Sequence, residues 1–176
     1  MNKNLVVFFT HRGETYFPDG YRVVEKGNAE KLAEMVSKII PADTFEIKTE
    51  KTYPVSYKEC CDEAKLEHQK GELPALKTLP ENLDKYENII LIYPNWWNSM
   101  PRAVFSFLDI SDFDGKGIFP ICTHEGSGLG KSMDDLALTI PNAILYDGIS
   151  VYGHEVEDSE EDLREYLSEW LDTINQ

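Results

Sequence analysis

Between Ile89 and Pro101 the chain reads IILIYPNWWNSMP. Four consecutive aliphatic residues, Ile89 to Ile92, leave no polar face. A strand built from them must be buried on both sides, as in a parallel sheet covered by helices. Pro94 and the polar residues around it stop the run, because proline has no ladder donor to offer. Trp96 and Trp97 follow at once, between Asn95 and Asn98, and Pro101 closes the segment. Two large rings thus sit just past the carboxyl end of a buried strand, where open α/β sheets bind ligands. Taken alone, the pair serves equally well as core or as ligand wall.

The rest of the chain alternates in the same way. Leu5–Phe9 is a buried strand broken by Thr10, His11, Arg12 and Gly13, and a polar stretch with a turn at Pro18-Asp19-Gly20 runs on to Lys26. Asn28, a good N-cap, opens a helix in which Leu32, Ala33, Val36, Ile39 and Ile40 recur at helical spacing, and Pro41 ends it. Thr44–Lys48 alternates as a half-exposed edge strand does. Tyr57 to about Lys70 reads as a charged helix stopped by Gly71, and Leu73–Leu83 as a surface connection. A short helix, Ala103–Leu108, begins near Pro101. Gly117–Cys122 is a buried strand despite Pro120, a helix covers Lys131–Ile140, and Ala143–Val151 is a last strand interrupted at Asp147-Gly148. In the final helix Ser159 and Asp162 form a capping box, with Leu163, Tyr166, Leu167, Trp170, Leu171 and Ile174 along one face. The order βαβαβαβαβα predicts one α/β domain over residues 1–176: an open, doubly wound, five-stranded parallel sheet with helices on both faces.

Charge narrows the partners. Lys and Arg number 17 against 32 Asp and Glu, a net charge of −15, which repels nucleic acid and anionic membranes. The same charge can steer the chain toward a basic patch on a protein partner. Three cysteines, Cys60, Cys61 and Cys122, give no disulfide framework, so a reducing cytoplasm is the expected home. His11, His68, His124 and His154 fall in no metal-ligand spacing, and no metal is expected. The apolar run near the start is too short for a signal sequence, and no later run is long enough to span a membrane.

Three loops leave the carboxyl ends of strands one, three and four, and in the strand order 2-1-3-4-5 they converge at the switch point. The first, Thr10–Asn28, offers free helix amides near Asn28 and Ala29, a hydroxyl on Thr10 and a guanidinium on Arg12, together a cradle for phosphate. The second, Pro94–Pro101, offers the flat rings of Trp96 and Trp97. The third, Thr123–Gly130, offers main chain at Gly126, Gly128 and Gly130 against which a planar group can lie. Phosphate at one end and a flat ring at the other describe a mononucleotide-like cofactor. With neither GxxxxGK[ST] nor GxGxxG present, a flavin suits best.

The chain resembles the flavodoxin-like FMN-binding proteins, and within them a bacterial subgroup with YPxWWxxxP and THEGSGLG loops. Here these are Tyr93–Pro101 and Thr123–Gly130, and the likeness covers essentially the whole chain. The family's phosphate loop is split, Thr10-His11-Arg12 matching its first part and Gly27-Asn28-Ala29 its second, with Gly13–Lys26 inserted. Arg12 and Ala29 stand where hydroxyl residues are usual, and Asn98 where glycine is frequent. The resemblance implies non-covalent FMN bound by Thr10, His11, Arg12, Gly27, Asn28, Ala29, Pro94, Asn95, Trp96, Trp97, Asn98, Thr123, His124, Glu125, Gly126, Ser127 and Gly128.

It also implies an electron carrier between redox proteins with basic docking surfaces, with no catalytic acid, base or nucleophile. An acidic surround would push the flavin potential down. Two alternatives share the fold: an FMN-dependent enzyme that takes hydride from NAD(P)H and reduces a quinone or similar acceptor, and a cofactor-free interaction module.

Overall fold

The computed structural model describes residues 3–175. The chain begins with β1 (Asn4–Phe8), then β2 (Gly13–Phe17), β3 (Gly20–Val24), α1 (Asn28–Ile39), β4 (Asp43–Glu46) and α2 (Tyr57–Lys70). It continues with β5 (Asn88–Pro94), α3 (Arg102–Asp109), β6 (Gly117–His124) and α4 (Ser132–Thr139). The last elements are β7 (Ile144–Leu145), β8 (Ile149–Tyr152), α5 (Glu155–Asp158) and α6 (Glu160–Leu171). The main sheet runs β4-β1-β5-β6-β7, with β8 also on β6, and every pairing in it is parallel. This is the doubly wound order 2-1-3-4-5, with β7 and β8 sharing the fifth position. Among the described residues no helix is long and apolar enough to cross a membrane.

The uninterrupted apolar runs follow from a sheet covered on both sides. Val6 and Phe8 of β1 and Ile90 and Ile92 of β5 face one layer, with Leu32 and Val36 of α1 and Leu163, Leu167 and Leu171 of α6. Leu5, Val7, Ile89, Leu91 and Tyr93 alternate to the opposite layer, against Val104, Phe107 and Leu108 of α3 and Leu136 of α4.

Pro120 explains the broken last strand. Ile118 accepts from the Tyr146 amide at 3.0 Å, so residue 120, two positions on, also turns its main chain toward the fifth position. Proline has no N–H to give there. Pairing accordingly lapses between Ile118↔Leu145 and Ile121↔Ile149, and residues 146–148 leave the ladder.

Several local readings need correction. The polar insertion is ordered: β2 and β3 form an antiparallel hairpin around Pro18-Asp19. Pro94 does not end its strand early but pairs with Thr123 as the last residue of β5, beyond the final β1 pair at Ile92, where no ladder donor is required. Gly27, not Asn28, is the N-cap of α1, and the Ser159 side chain makes no capping bond. On α6, Tyr166 is 49% exposed and Trp170 is only half-buried, its Nε1–H reaching the Asp147 carbonyl at 3.3 Å.

Candidate functional site

A cavity of about 580 Å³ opens where the loops after β1, β5 and β6 meet, a size suited to a small-molecule ligand. Thr10, His11, Asn28, Ala29, Pro94, Asn95, Trp96, Trp97, Asn98, Thr123, His124, Glu125 and Ser127 of the expected residues line it. Arg12, Gly27, Gly126 and Gly128 do not form its wall. Each of those four has a definite place elsewhere.

Gly27 is a packing requirement. A Cβ on it would lie 2.0 Å from Thr10 Oγ1 and 2.6 Å from the His11 carbonyl, so only glycine lets the start of α1 come this close to the end of β1. As N-cap it has no side chain with which to cover the first helix amides. Thr10 Oγ1 is buried beside them with no hydrogen-bond partner. An unsatisfied hydroxyl next to uncapped amides costs free energy unless an acceptor arrives from outside, and an anion is what that pole attracts.

Arg12 does not add to this end. Its Nε lies 3.0 Å from Glu30 Oε2 and its Nη1 2.6 Å from Glu46 Oε1, and the bond to Glu46 above all holds its pKa above the ordinary arginine value. The guanidinium ties the first loop to α1 and β4. With it engaged by two carboxylates, the pocket's affinity for an anion rests on amides and a hydroxyl.

The aromatic end is a tight turn. Trp96 N–H donates to the Ser99 carbonyl at 2.9 Å and Ser99 N–H returns to Trp96 at 3.2 Å, with Trp97 at φ 53° and Asn98 at φ 65° between them. Two successive left-handed residues make a type I′ turn, which asparagine tolerates and tryptophan resists. The tip is held from both sides. Asn95 Oδ1 accepts from the Asn98 amide at 3.1 Å, and Asn95 Nδ2 donates to the Gly128 carbonyl at 2.9 Å. Lys131 N–H reaches the Asn98 carbonyl at 2.7 Å, and a Cβ at Gly130 would lie 2.5 Å from that same oxygen. Gly130 therefore lets the third loop close against the turn.

The two indoles have different surroundings. Trp96 packs edge-on to Phe9 (5.2 Å), Tyr53 (5.1 Å) and His11 (6.2 Å). Tyr53 is itself fixed by a donated bond to buried Glu67. Trp97 is 48% exposed, and its Nε1–H donates to the Cys61 carbonyl at 2.9 Å.

His124 and Glu125 begin the remaining wall. The Gly126 amide donates to His124 Nδ1 at 2.9 Å, so that nitrogen carries a lone pair, and burial holds the ring's pKa below the usual histidine value. Glu125 does the reverse for His154: Oε2 receives Nδ1–H at 2.7 Å and Oε1 the main-chain amide at 2.8 Å, raising the His154 pKa. A raised pKa contributes stability that is full below the unfolded value and is lost as pH rises through the folded one. His154→Gln is therefore expected to lower Tm by roughly 1–2 °C at about pH 6 and to leave it unchanged at about pH 9. A deficit that persists in alkali would mean that packing, not charge, links this pair.

The cavity also has walls that the sequence did not suggest. Glu14, Thr15 and Tyr16 come from the hairpin, Tyr57, Cys60, Cys61 and Ala64 from one side of α2, and Gly153 from beyond β8. The α2 set recurs at i, i+3, i+4 and i+7, a face that was legible as helix but carried no mark of a site. The hairpin is fastened across α2 by Glu14 N–H to the Val55 carbonyl (2.8 Å) and by Tyr57 N–H to the Glu14 carboxylate (2.9 Å).

Comparison with known proteins places this fold. The flavodoxin family model matches residues 20–174. The chain belongs to the flavodoxin family. No curated protein matches it in a sequence search. Solved structures share the flavodoxin fold. A Bacteroides eggerthii structure described as a candidate flavoprotein is 22% identical, covering 99% of this chain and 98% of its own, with a TM-score of 0.77. A similarly described Bacteroides uniformis structure is 22% identical over 97% of both chains, with a TM-score of 0.76. A Lactobacillus acidophilus flavoprotein, solved in complex with FMN, is 15% identical over 92% of this chain and 100% of its own, with a TM-score of 0.64.

FMN is the cofactor that goes with this flavodoxin, and the residues present fit it. The orphan Thr10 hydroxyl and uncapped α1 amides suit a phosphate, and the Trp97 turn facing the third loop suits a flat ring.

Proposed function

We propose that this flavodoxin holds FMN non-covalently across its three loops and passes electrons between redox partner proteins. The observation that carries the reading is a single cavity with an unsatisfied anion pole at α1 and an aromatic turn at β5. Bound FMN supplies the chemistry, taking up and returning electrons. The chain's own residues bind, orient and tune it. Thr10 and the amides of Asn28 and Ala29 would hold the phosphate, and the turn at Trp97 and Asn98 would set the plane of the ring.

The acidic surface has two consequences under this reading. A net charge of −15 disfavours added negative charge in the cavity, which lowers the reduction potential, and it favours partners with basic docking surfaces. The purified protein is expected to show a flavin absorbance spectrum, or to acquire one on titration with FMN at about one equivalent. Colourless protein that fails to take up added FMN would sink the proposal. One observation favours a second reading, an FMN-dependent reductase: the hairpin and α2 extend the cavity past the three loops. Rapid bleaching of the bound flavin by NAD(P)H, without any partner protein, would support the enzyme over the carrier.

A further inference from the structure

A carboxylate stands beside the anion pole at α1. Glu125, Asn28 and Gly153 all line the cavity. A Cβ on Gly153 would lie 2.4 Å from Asn28 Nδ2 and 2.7 Å from Glu125 Oε1, so the Glu125 carboxylate and the first side chain of α1 close on the same point. The Gly153 amide donates to the His124 carbonyl at 2.8 Å, which pins the end of β8 there. On its other side the carboxylate is taken by one residue, His154. Oε1 accepts from the main-chain amide at 2.8 Å and Oε2 from the ring at 2.7 Å. Held at both oxygens, Glu125 stays in place when an anion arrives.

The cavity wall itself offers little to offset that charge. Among the described residues lining the cavity there is neither lysine nor arginine, and Arg12 is engaged by Glu30 and Glu46. His11 gives its Nε2–H to the Pro54 carbonyl at 2.8 Å, and burial holds the His124 pKa down. The cation that meets Glu125 is therefore His154. Around it stand His124 from β6, Tyr152 from β8 with ring centroids 5.3 Å apart, and Glu155 and Asp158 from α5, while Glu157 is bound by Lys31 of α1. The bond to Glu125 first, and the α5 carboxylates after it, raise the His154 pKa. Protonated, His154 makes its pair with Glu125 neutral; deprotonated, it leaves the pair a net negative charge at the edge of the anion pole.

We propose that His154 is a positioning residue for the anion held at α1: it fixes both oxygens of Glu125, cancels their charge when protonated, and loosens the grip on the anion as pH rises. The assignment rests on the FMN reading only in giving the α1 end to the FMN phosphate. It deepens that reading by making the hold on the cofactor depend on a proton carried outside the cavity wall.

FMN and riboflavin are the paired probes, because they differ in the phosphate alone. The quantity read by fluorescence titration is the FMN preference, the riboflavin Kd divided by the FMN Kd. At about pH 6 the parent's preference should exceed that of His154→Gln roughly three- to tenfold, and at about pH 9 the two should coincide. Glutamine keeps a donor to Glu125 and removes only the charge. The phosphate itself gains charge near pH ~6, but it does so with parent and variant alike, so the comparison at each pH cancels it. Glu125→Gln should raise the preference roughly three- to tenfold above the parent's at about pH 9, where His154 no longer offsets the carboxylate. A pair that is merely structural would weaken FMN and riboflavin together. Parallel pH profiles in parent and His154→Gln, or a Glu125→Gln preference at or below the parent's in alkali, would therefore overturn the assignment. Protein that refuses FMN would sink the proposed function alone. Inorganic phosphate, followed through the Asn28 and Ala29 amide shifts of nitrogen-labelled protein, then reads the same pole: the same ratios between parent and variants support the assignment, and an absence of binding or parallel profiles counts against it.

Discussion

Gly27→Ala is expected to weaken FMN binding by at least about a hundredfold while leaving the chain folded, at a cost of roughly 1–3 kcal/mol. The new methyl carbon would be placed 2.0 Å from Thr10 Oγ1, which can rotate away, but also 2.6 Å from the His11 carbonyl, which cannot. The start of α1 must therefore retreat from the end of β1, and the helix amides and the Thr10 hydroxyl cease to converge on one anion. Thr10→Val keeps the packing and removes only the donor. It should cost roughly 1.5–3 kcal/mol of binding, a factor of about ten to a hundred, as hydrogen bonds to charged groups do. Riboflavin, which lacks the phosphate, is the discriminating ligand. Fluorescence titration should show Gly27→Ala sparing riboflavin far more than FMN; equal losses for both would mean that the crowding at Gly27 does not define the phosphate end.

The second large effect separates the two tryptophans. Trp96→Ala should destabilise the fold by about 2–4 kcal/mol, because it removes the ring against which Phe9 and Tyr53 are packed. Trp97→Gly should change stability by less than about 1 kcal/mol: it loses one bond to Cys61 but frees a residue held at φ 53° from the penalty that left-handed backbone imposes on a side chain. In FMN affinity the order should reverse. Trp97→Gly should lose roughly 1.5–3 kcal/mol of flat-ring contact, about ten- to a hundredfold in Kd. Denaturant melts together with FMN titrations of both variants decide the matter. A Trp97→Gly protein with the parent's affinity would leave Trp96 as the ring that faces the flavin.

Much of this was legible in the chain because it is written in local chemistry. Ile89–Ile92 suited a strand buried on both faces, and the layers formed by Ile90 and Ile92 on one side and Ile89 and Leu91 on the other are the reason. The three loops followed from where the strands end. The Tyr16–Tyr57 wall did not, because nothing within residues 13–24 announces that the hairpin will fold back onto a helix more than thirty residues later. That contact is made by Glu14, whose amide reaches the Val55 carbonyl and whose carboxylate accepts from the Tyr57 amide, and by the tyrosine rings that pack across it. Arg12 misled for a related reason. Its residue type suits phosphate, but Glu30 and Glu46 reach it first from α1 and β4, and partners so far apart in sequence leave no local signature. The tryptophans were undecided in sequence because adjacent, identical residues have different surroundings: Trp96 packs on Phe9 and Tyr53, whereas Trp97 stands exposed at the tip of the turn.

The closeness of Thr10 and Gly27 has one more consequence. The chain leaves the sheet at Thr10 and enters α1 at Gly27, with scarcely an atom's width between the two. Residues 13–26 are therefore an excursion whose two feet stand together, and the entropy of closing such a loop changes only slowly with its length. Lengthening, trimming or exchanging the hairpin leaves the geometry of α1 and β1 alone. In this flavodoxin the two feet at Thr10 and Gly27 and the hairpin residues that line the cavity belong to one loop, yet the hairpin can vary without moving the feet.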